Sequence, residues 1–479
     1  MSSTFEEEIT HEQPGGHLTV SGGKPAGPAA MFGWAIYDWA INPYFILINI
    51  FVFAPYFSSI VIGDPVKGQA NWGYIQAAAG IVIALLSPFF GSLADAIGAR
   101  KPGIFAFTMV AAVGMAGLWY VVPGSPYALY ITALCVIVAA TSIEFSVVYH
   151  NAMLPTIVPT KRLGFSSGIG YSTGFAGAVA AFVCWLALFG TGDTAAFGLD
   201  RELHEHNRIV GPLAAVWMLI FIIPLFLFTP DQPRTNRSRK EAVKHGVATV
   251  VDTVKQLPYY RNIATYLAAR MVYYDGQSAV FIFAGVYAAG TFGWETSQVG
   301  IYGLMTIAMQ IPSALLGGLI DDKIGSKKTI LISVSLFAII LLVLVGTTKD
   351  SFFIWSLSTD PIIATSTIGG WLNAAGFDTL AERIFVTLGA LAGAFSGPSL
   401  SSSRTMLARL APANMMAEFY GLYALCGKAT SFIAPIMVSV VTIWTSSQRL
   451  GLATVLIMLV GGLIALMYVK EEKSISHKA

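Results

Sequence analysis

The sequence predicts an all-α membrane protein of twelve spanning helices, arranged as two related bundles of six. Three observations carry this. The 479 residues are 55% hydrophobic and 11% charged, with mean hydropathy +0.67, whereas a soluble protein carries roughly 25% charged residues. Some twelve apolar runs recur along the chain, each near the roughly 20 residues that a spanning helix needs. The two halves also repeat each other in sequence, in the same order and direction.

Residues 1–30 are polar and rich in Gly and Pro. They lack the basic start and apolar middle of a signal peptide and read as a disordered cytoplasmic tail. The first six helices are expected at 31–60, 70–97, 102–122, 127–153, 165–190 and 211–229. A basic linker at 230–261 follows, with Arg234, Arg237, Arg239, Lys240, Lys244, Lys255 and Arg261. The second six are expected at 262–290, 297–320, 329–346, 382–409, 417–444 and 450–470, before a short tail at 471–479. Segment 347–381 is long for a loop and includes Trp355 and Trp371, so a small surface helix is expected there.

Orientation follows from Lys and Arg in short loops. Arg100, Lys101, Lys161, Arg162, the central linker, Lys323, Lys327 and Lys328 fall on one side. That side reads as cytoplasmic, which puts both termini inside and 347–381 outside. The net charge of +2 carries no nucleic-acid signal. Cys135, Cys184 and Cys426 lie within apolar runs, so neither a disulfide framework nor a metal site is expected. No cofactor motif is read, and a G-x-x-x-x-G-K-S/T loop is missing, which disfavours a nucleotide-driven pump. H-E-x-x-H is missing too, so a membrane enzyme is not expected. The expected partners are a small solute, protons as one choice of coupling ion, and the bilayer; a monomer is expected.

The repeat is specific. "GSLADAIGARK" (Gly91–Lys101) and "GLIDDKIGSKK" (Gly318–Lys328) share the frame G-x-(L/I)-x-D-x-x-G-x-(R/K)-K. "MLPTIVP" from Met153 and "MLARLAP" from Met406 match at an offset of 253 (406 − 153), which also carries Gly168 onto Gly421 and Gly174 onto Gly427. Parallel halves of six helices are a known transporter architecture.

The loop after the second helix resembles the signature of the major facilitator superfamily, and its weaker copy follows the eighth. "YDWAINPY", "GPSLSSSRTMLARLAP", "EFYGLYALCGKATSFIAP" and "SSQRLG" resemble the branch typified by the autophagy-related vacuolar amino-acid effluxer and its bacterial relatives. The likeness runs from about Met31 to Val469. The first-helix motif of that branch reads D-W-A-N-S; here Asn42 is displaced by one position. The resemblance implies the facilitator fold, a central cavity lined by the first, fourth, seventh and tenth helices, and residence in a bacterial inner membrane. It also implies export of amino acids.

Charge inside a bilayer is unfavourable by several kcal/mol, about 2.5–3.5 on insertion scales. Buried ionisable residues therefore mark a cavity or a partner. Asp38 on the first helix shares a face with Asn42, Phe45 and Asn49 at 3.6 residues per turn. Pro43 frees a carbonyl near Trp39. On the fourth helix Thr141, Glu144 and Asn151 share a face, with His150 turned toward another helix. On the seventh Arg270, Tyr274 and Gln277 share a face, with Asp275 turned away. Arg270 suits a carboxylate through paired donors; the alternative is a fixed ion pair with Asp38 or Glu144. Arg404, after the serine run, is expected to reach the headgroups or to line the site. Asp38, Glu144 and Asp275 are the candidates for proton coupling. The alternative for Asp38 is a hydrogen bond between helices.

Gly91, Asp95, Gly98 and Arg100, with Gly318, Asp322, Gly325 and Lys327 in the repeat, are too shallow for substrate. They read as a breakable latch, and Gly91 and Gly98 also permit close approach and a turn. The reading is a secondary transporter of a small polar solute, an amino acid or short peptide, working by alternating access. Its rivals are a transport-inactive receptor or scaffold on the same fold and a facilitator of sugars or organic anions.

Overall fold

Twelve long helical columns, numbered α1–α12, make up the computed structural model, which describes residues 18–190, 196–235, 259–294, 296–362 and 366–471. The first half holds α1 (Pro28–Val61), α2 (Pro65–Ile97), α3 (Lys101–Gly117), α4 (Ala128–Ile157), α5 (Leu163–Trp185) and α6 (Glu205–Phe228). The second holds α7 (Arg261–Phe292), α8 (Thr296–Ile324), α9 (Ser326–Val345) and α10 (Leu380–Leu410). It closes with α11 (Met416–Ala429, continued by Ile433–Thr445) and α12 (Gln448–Met467). Most of the expected basic linker, and both extreme tails, lie outside the described residues.

Among the described residues, ten helices are long and apolar enough to span a membrane by themselves. The other two columns are α7 and α11. Helix α7 carries Arg261, Arg270, Asp275 and Gln277 along its length. Helix α11 breaks at 430–432, where Pro435 has no N–H to close the turn on the carbonyl of residue 431.

Proline sets the shape of α1. Pro43 has no N–H to close the turn on Trp39. The freed Trp39 carbonyl instead accepts from the Trp217 indole of α6 at 3.3 Å. Beyond Pro43 the chain winds as a π-helix, Tyr44–Phe51, so the 3.6-residue stacking fails there. The expected stripe of Asp38, Asn42, Phe45 and Asn49 is therefore broken. Asn42 turns its amide back onto the Asp38 carbonyl at 2.7 Å. The Asn49 side-chain oxygen accepts from Gln76 of α2 at 3.0 Å.

Proline also explains a second departure. Pro159 cannot donate to the Pro155 carbonyl one turn earlier. The Val20 amide takes that carbonyl at 3.1 Å, Ala26 donates to Ile157 at 2.9 Å, and Thr160 donates back to Leu18 at 3.0 Å. Residues 18–27 are thus strapped along the end of α4, and Thr19 is fully buried. The expected disordered tail, 1–30, does not extend this far.

The α9–α10 connection holds a two-stranded hairpin (Ser351–Phe352 with Trp355–Ser356) and the expected small helix, Thr367–Ala374. A reciprocal capping box between Thr379 and Glu382 then opens α10, satisfying two amides that a helix start leaves bare. The loop signatures repeat at an offset of 227 (318 − 91) and the later motifs at 253, so this connection lies between the two registers.

The halves meet where α2 crosses α11 and α5 crosses α8. Small residues allow it. Gly91 lies against the Ala417 carbonyl, Gly421 against that of Ser87, Gly168 against that of Ala314, and Gly318 against that of Gly164. Gly168 and Gly421 are repeat partners, so one crossing is the counterpart of the other.

Candidate functional site

At the end of the molecule bearing the α2–α3 and α8–α9 turns, each half reaches into the other with a carboxylate. Asp95 of α2 accepts from the Glu418 amide at 2.8 Å, at the start of α11. Asp322 of α8 accepts from the Gly164 and Phe165 amides, both at 2.8 Å, at the start of α5. The first amides of a helix lack partners within it, and its dipole favours an anion there. Two repeated aspartates thus cap two helices across the interface.

Cations hold these carboxylates in place. Arg100 pairs with Asp95 at 2.5 Å. Lys327, its counterpart in the second half, instead donates to the Met467 carbonyl at 2.7 Å. Arg409 takes over, reaching Asp321 at 2.8 Å, Asp322 at 3.4 Å and Glu471 at 3.3 Å. Within each half a further carboxylate caps the next helix. Asp231 accepts from the Arg100 amide at 2.8 Å and the Lys101 amide at 3.1 Å. Glu471 accepts from the Ser326 amide at 2.7 Å and the Lys327 amide at 3.0 Å. Gly98 and Gly325 turn the chain with φ of +85° and +92°, values that L side chains rarely adopt.

Deeper in, Asp38 and Arg404 form a buried pair between the halves. Both terminal nitrogens of Arg404 donate to one Asp38 oxygen at 3.1 Å. Asp38 is 6% exposed and Arg404 3%. The guanidinium also lies over the rings of Tyr171 (4.1 Å) and Trp34 (5.2 Å). Gly170 and Gly174 of α5 leave the room: a Cβ on Gly170 would stand 2.7 Å from the Asp38 carboxylate, and one on Gly174 2.6 Å from the Asn42 amide. Arg404 does not reach toward headgroups, because the pair carries it inward. Arg270 is not the partner of Asp38 or of Glu144 by ion pairing; Arg404 holds Asp38 instead. Nearby, Ser167 donates to the Ser401 carbonyl at 2.8 Å, tying α5 to α10 beside the pair.

His150 backs the site. Its ring stacks between Trp34 (4.6 Å) and Tyr37 (4.0 Å). The Trp34 indole donates to the His150 carbonyl at 3.1 Å, and His150 Nε2 meets the Trp34 carbonyl at 2.8 Å. Trp34 is thereby fixed against Arg404. Glu144 is half-buried on α4, and Asn151 is buried there.

In the second half Arg270 is 5% exposed. It donates to the Tyr423 carbonyl at 3.1 Å and lies over the rings of Tyr423 (3.3 Å) and Tyr274 (4.8 Å). Asp275 accepts from the Thr430 hydroxyl at the break in α11. Arg270 and Asp275 therefore both reach α11, despite their angular separation on α7. Gln277 faces α10 and accepts from Ser399 at 3.0 Å.

The model of the family described as "Vacuole effluxer Atg22 like" matches residues 60–164 and 166–479. The chain belongs to this family. A similar protein is the uncharacterized MFS-type transporter YxiO of Bacillus subtilis, 23% identical over 92% of this chain and 95% of that protein. Another is autophagy-related protein 22 of Cryptococcus neoformans, 24% identical over 53% of this chain and 42% of that one, so the chain matches less than half the length of that fungal relative. Among solved structures the E. coli fucose:proton symporter FucP superposes with a TM-score of 0.66 at 15% identity, covering 93% of this chain and 99% of that one. A bacterial homologue of the iron transporter ferroportin, in an outward-facing state, gives 0.63 at 12% identity over 92% and 98%. The fold is that of major facilitator transporters, and this Atg22-like chain is a transporter of that type.

Several residues of the Atg22-like site were not among those singled out from sequence. Tyr171, Tyr420 and Tyr423 surround the two arginines; Tyr420 donates to the Arg404 carbonyl at 2.9 Å. Arg409, Asp231 and Glu471 complete the seals. No repeat register marks them: even Tyr37-Asp38 and Tyr274-Asp275 match at 237 (274 − 37), apart from both the 227 and the 253 offsets.

Proposed function

We propose that this Atg22-like protein is a secondary transporter that moves a small polar solute, an amino acid or short peptide, by rocking its two halves about a central site. The observation that carries this reading is the buried Asp38–Arg404 pair, one partner from each half. A charge pair that only fixed the fold could lie within one half. A pair across the interface must break whenever the halves separate at that depth. Asp38 is ten residues into α1, so roughly 15 Å from its start at 1.5 Å per residue, about half of a ~30 Å hydrocarbon core.

The pair supplies a coupling device. Protonating Asp38 removes the charge that holds Arg404, and the interface can then open at the sealed end. An incoming solute that offers Arg404 another acceptor does the same. Proton coupling through Asp38 follows from this reading. Transport into proteoliposomes with and without an imposed pH gradient tests it: accumulation should follow the gradient, and flux indifferent to both gradient and protein would end the proposal.

The sealed end is assigned to the cytoplasm of a bacterial inner membrane, because Arg100, Lys101, Lys161 and Arg162 cluster there. A thiol placed at position 67 should react with an impermeant reagent from outside, and one at 240 only from inside. The reverse pattern would invert the orientation.

The latch has its own signature. Asp95→Asn keeps the side chain's shape but removes the charge facing Arg100 and the α11 start. The expected result is turnover slowed roughly tenfold with substrate affinity within a few-fold, since a charge-assisted bond of about 1.5–3 kcal/mol is lost far from the solute. Asp322→Asn should act alike, as its repeat counterpart. Loss of substrate binding with an intact fold would place Asp95 in the site itself.

A further inference from the structure

Four arginines are buried among the described residues: Arg100, Arg208, Arg270 and Arg404. Three of them have a carboxylate within salt-bridge distance, namely Asp95, Glu205 and Asp38. Arg270 has none among the described residues. We propose that Arg270 receives the carboxylate of the transported solute, so that the substrates are organic acids or amino acids with a free carboxylate. This rests on the transporter reading above and names its substrate class.

The surroundings of Arg270 are those of a waiting site. A guanidinium has five N–H donors in a planar fork. Here one hydrogen bond is made among the described residues, to the Tyr423 carbonyl; Nε is buried without a partner there, as in the other three buried arginines, so what sets Arg270 apart is the missing carboxylate. The remaining stabilisation comes from the faces of Tyr274 and Tyr423. Aromatic faces attract a cation without using its N–H groups, so the fork stays available for bidentate contact with a carboxylate. A buried charge without a counter-ion is disfavoured in a membrane protein, and an anionic solute supplies the missing charge.

Space and a neighbouring donor agree. Gly427 of α11 faces the fork: a Cβ there would stand 3.5 Å from one terminal nitrogen and 3.8 Å from the other. With glycine that volume is left free beside both nitrogens. One further hydrogen-bonding group, the hydroxyl of the same Tyr423 whose ring meets Arg270, is buried and unpartnered among the described residues. It can donate to an oxygen anion.

The test uses the full-length protein in lipid nanodiscs and matched probes that differ only at the carboxylate: alanine against alaninamide, lactate against lactamide, succinate against succinamide. Thermal stabilisation and equilibrium binding are read for wild type, Arg270→Lys, Arg270→Gln and Gly427→Ala. At least one acid should bind wild type while its amide does not. Arg270→Lys, which keeps the charge but loses the fork, should weaken that acid roughly tenfold or more, and Arg270→Gln should abolish binding. Gly427→Ala makes only ordinary van der Waals contacts, so it should fold as wild type yet bind the acid more weakly; it serves where Arg270→Gln does not fold. Equal binding of acid and amide, undiminished binding by Gly427→Ala and Arg270→Gln, or no acid bound at all would overturn the assignment. Acid binding without flux in proteoliposomes would instead sink the transporter reading and leave the site standing. Flux of a solute with no carboxylate, unaffected by Arg270→Gln, would do the opposite.

Discussion

Asp38→Asn is expected to abolish pH-driven accumulation of solute while exchange across the membrane continues. The variant keeps one acceptor for Arg404 but can no longer cycle between charged and neutral. Exchange moves no net proton, so it survives; accumulation needs the proton and does not. Arg404→Ala is expected to be harsher. It leaves Asp38 buried beside Tyr171 and Trp34 without its cation, and breaking such a pair by removing one partner destabilises by about 3–5 kcal/mol. Both transport modes should then fall together, with a lower melting temperature. Replacing both residues by leucine should recover much of the stability, because a buried pair contributes little net against apolar packing, yet should not recover transport. Full accumulation in Asp38→Asn would reduce the pair to glue between helices.

The second large effect is expected at the helix crossings. A Cβ on Gly318 would stand 2.3 Å from the Gly164 carbonyl oxygen and 3.1 Å from the Gly168 Cα; one on Gly91 would stand 2.4 Å from the Ala417 carbonyl oxygen. Backbone cannot yield as a side-chain tip can. Gly318→Leu should therefore prevent the halves from closing at the sealed end while each half packs as before. Turnover should fall roughly tenfold or more, as the closed state loses population. A cysteine at Ser401, which is fully buried, should become reactive to thiol reagents in that background. Gly303→Ala is the control, since its nearest neighbour would be the Phe51 ring at 3.4 Å, and it should transport normally. Normal turnover in Gly318→Leu would mean that this crossing opens and closes with no part in the cycle.

The twelve columns were legible because apolar runs and loop charges report directly on a bilayer. The crossings were legible only in part: Gly91 was read as permitting close approach, but no sequence pattern said that α2 meets α11 or that α5 meets α8. Pairing was harder to read. Arg270 and Arg404 are both buried cations, and no local pattern says which of them meets Asp38; that depends on how α1 packs against α10, 366 residues away. The polar stripe on α1 failed for a local reason, the π-wound segment after Pro43. The strap at 18–27 was hidden by its composition, since Gly and Ser give no hydrophobic period. What anchors it is a carbonyl left free by a proline more than a hundred residues later.

The central claim is that the two halves rock, opening one end as the other shuts. It is tested most directly by distances between spin labels across both ends of one molecule in vesicles. With Cys135, Cys184 and Cys426 replaced by serine, one pair would sit at Lys161 and Asn414 at the sealed end, and another at Lys67 and Ala374 toward the other. The account predicts a short, narrow distance for the first pair without solute. When a transported solute is added, that distance should lengthen in part of the population while the second shortens by a matching fraction. If solute crosses the membrane while neither distance moves, or while both change in the same direction, the halves do not alternate and the account is contradicted.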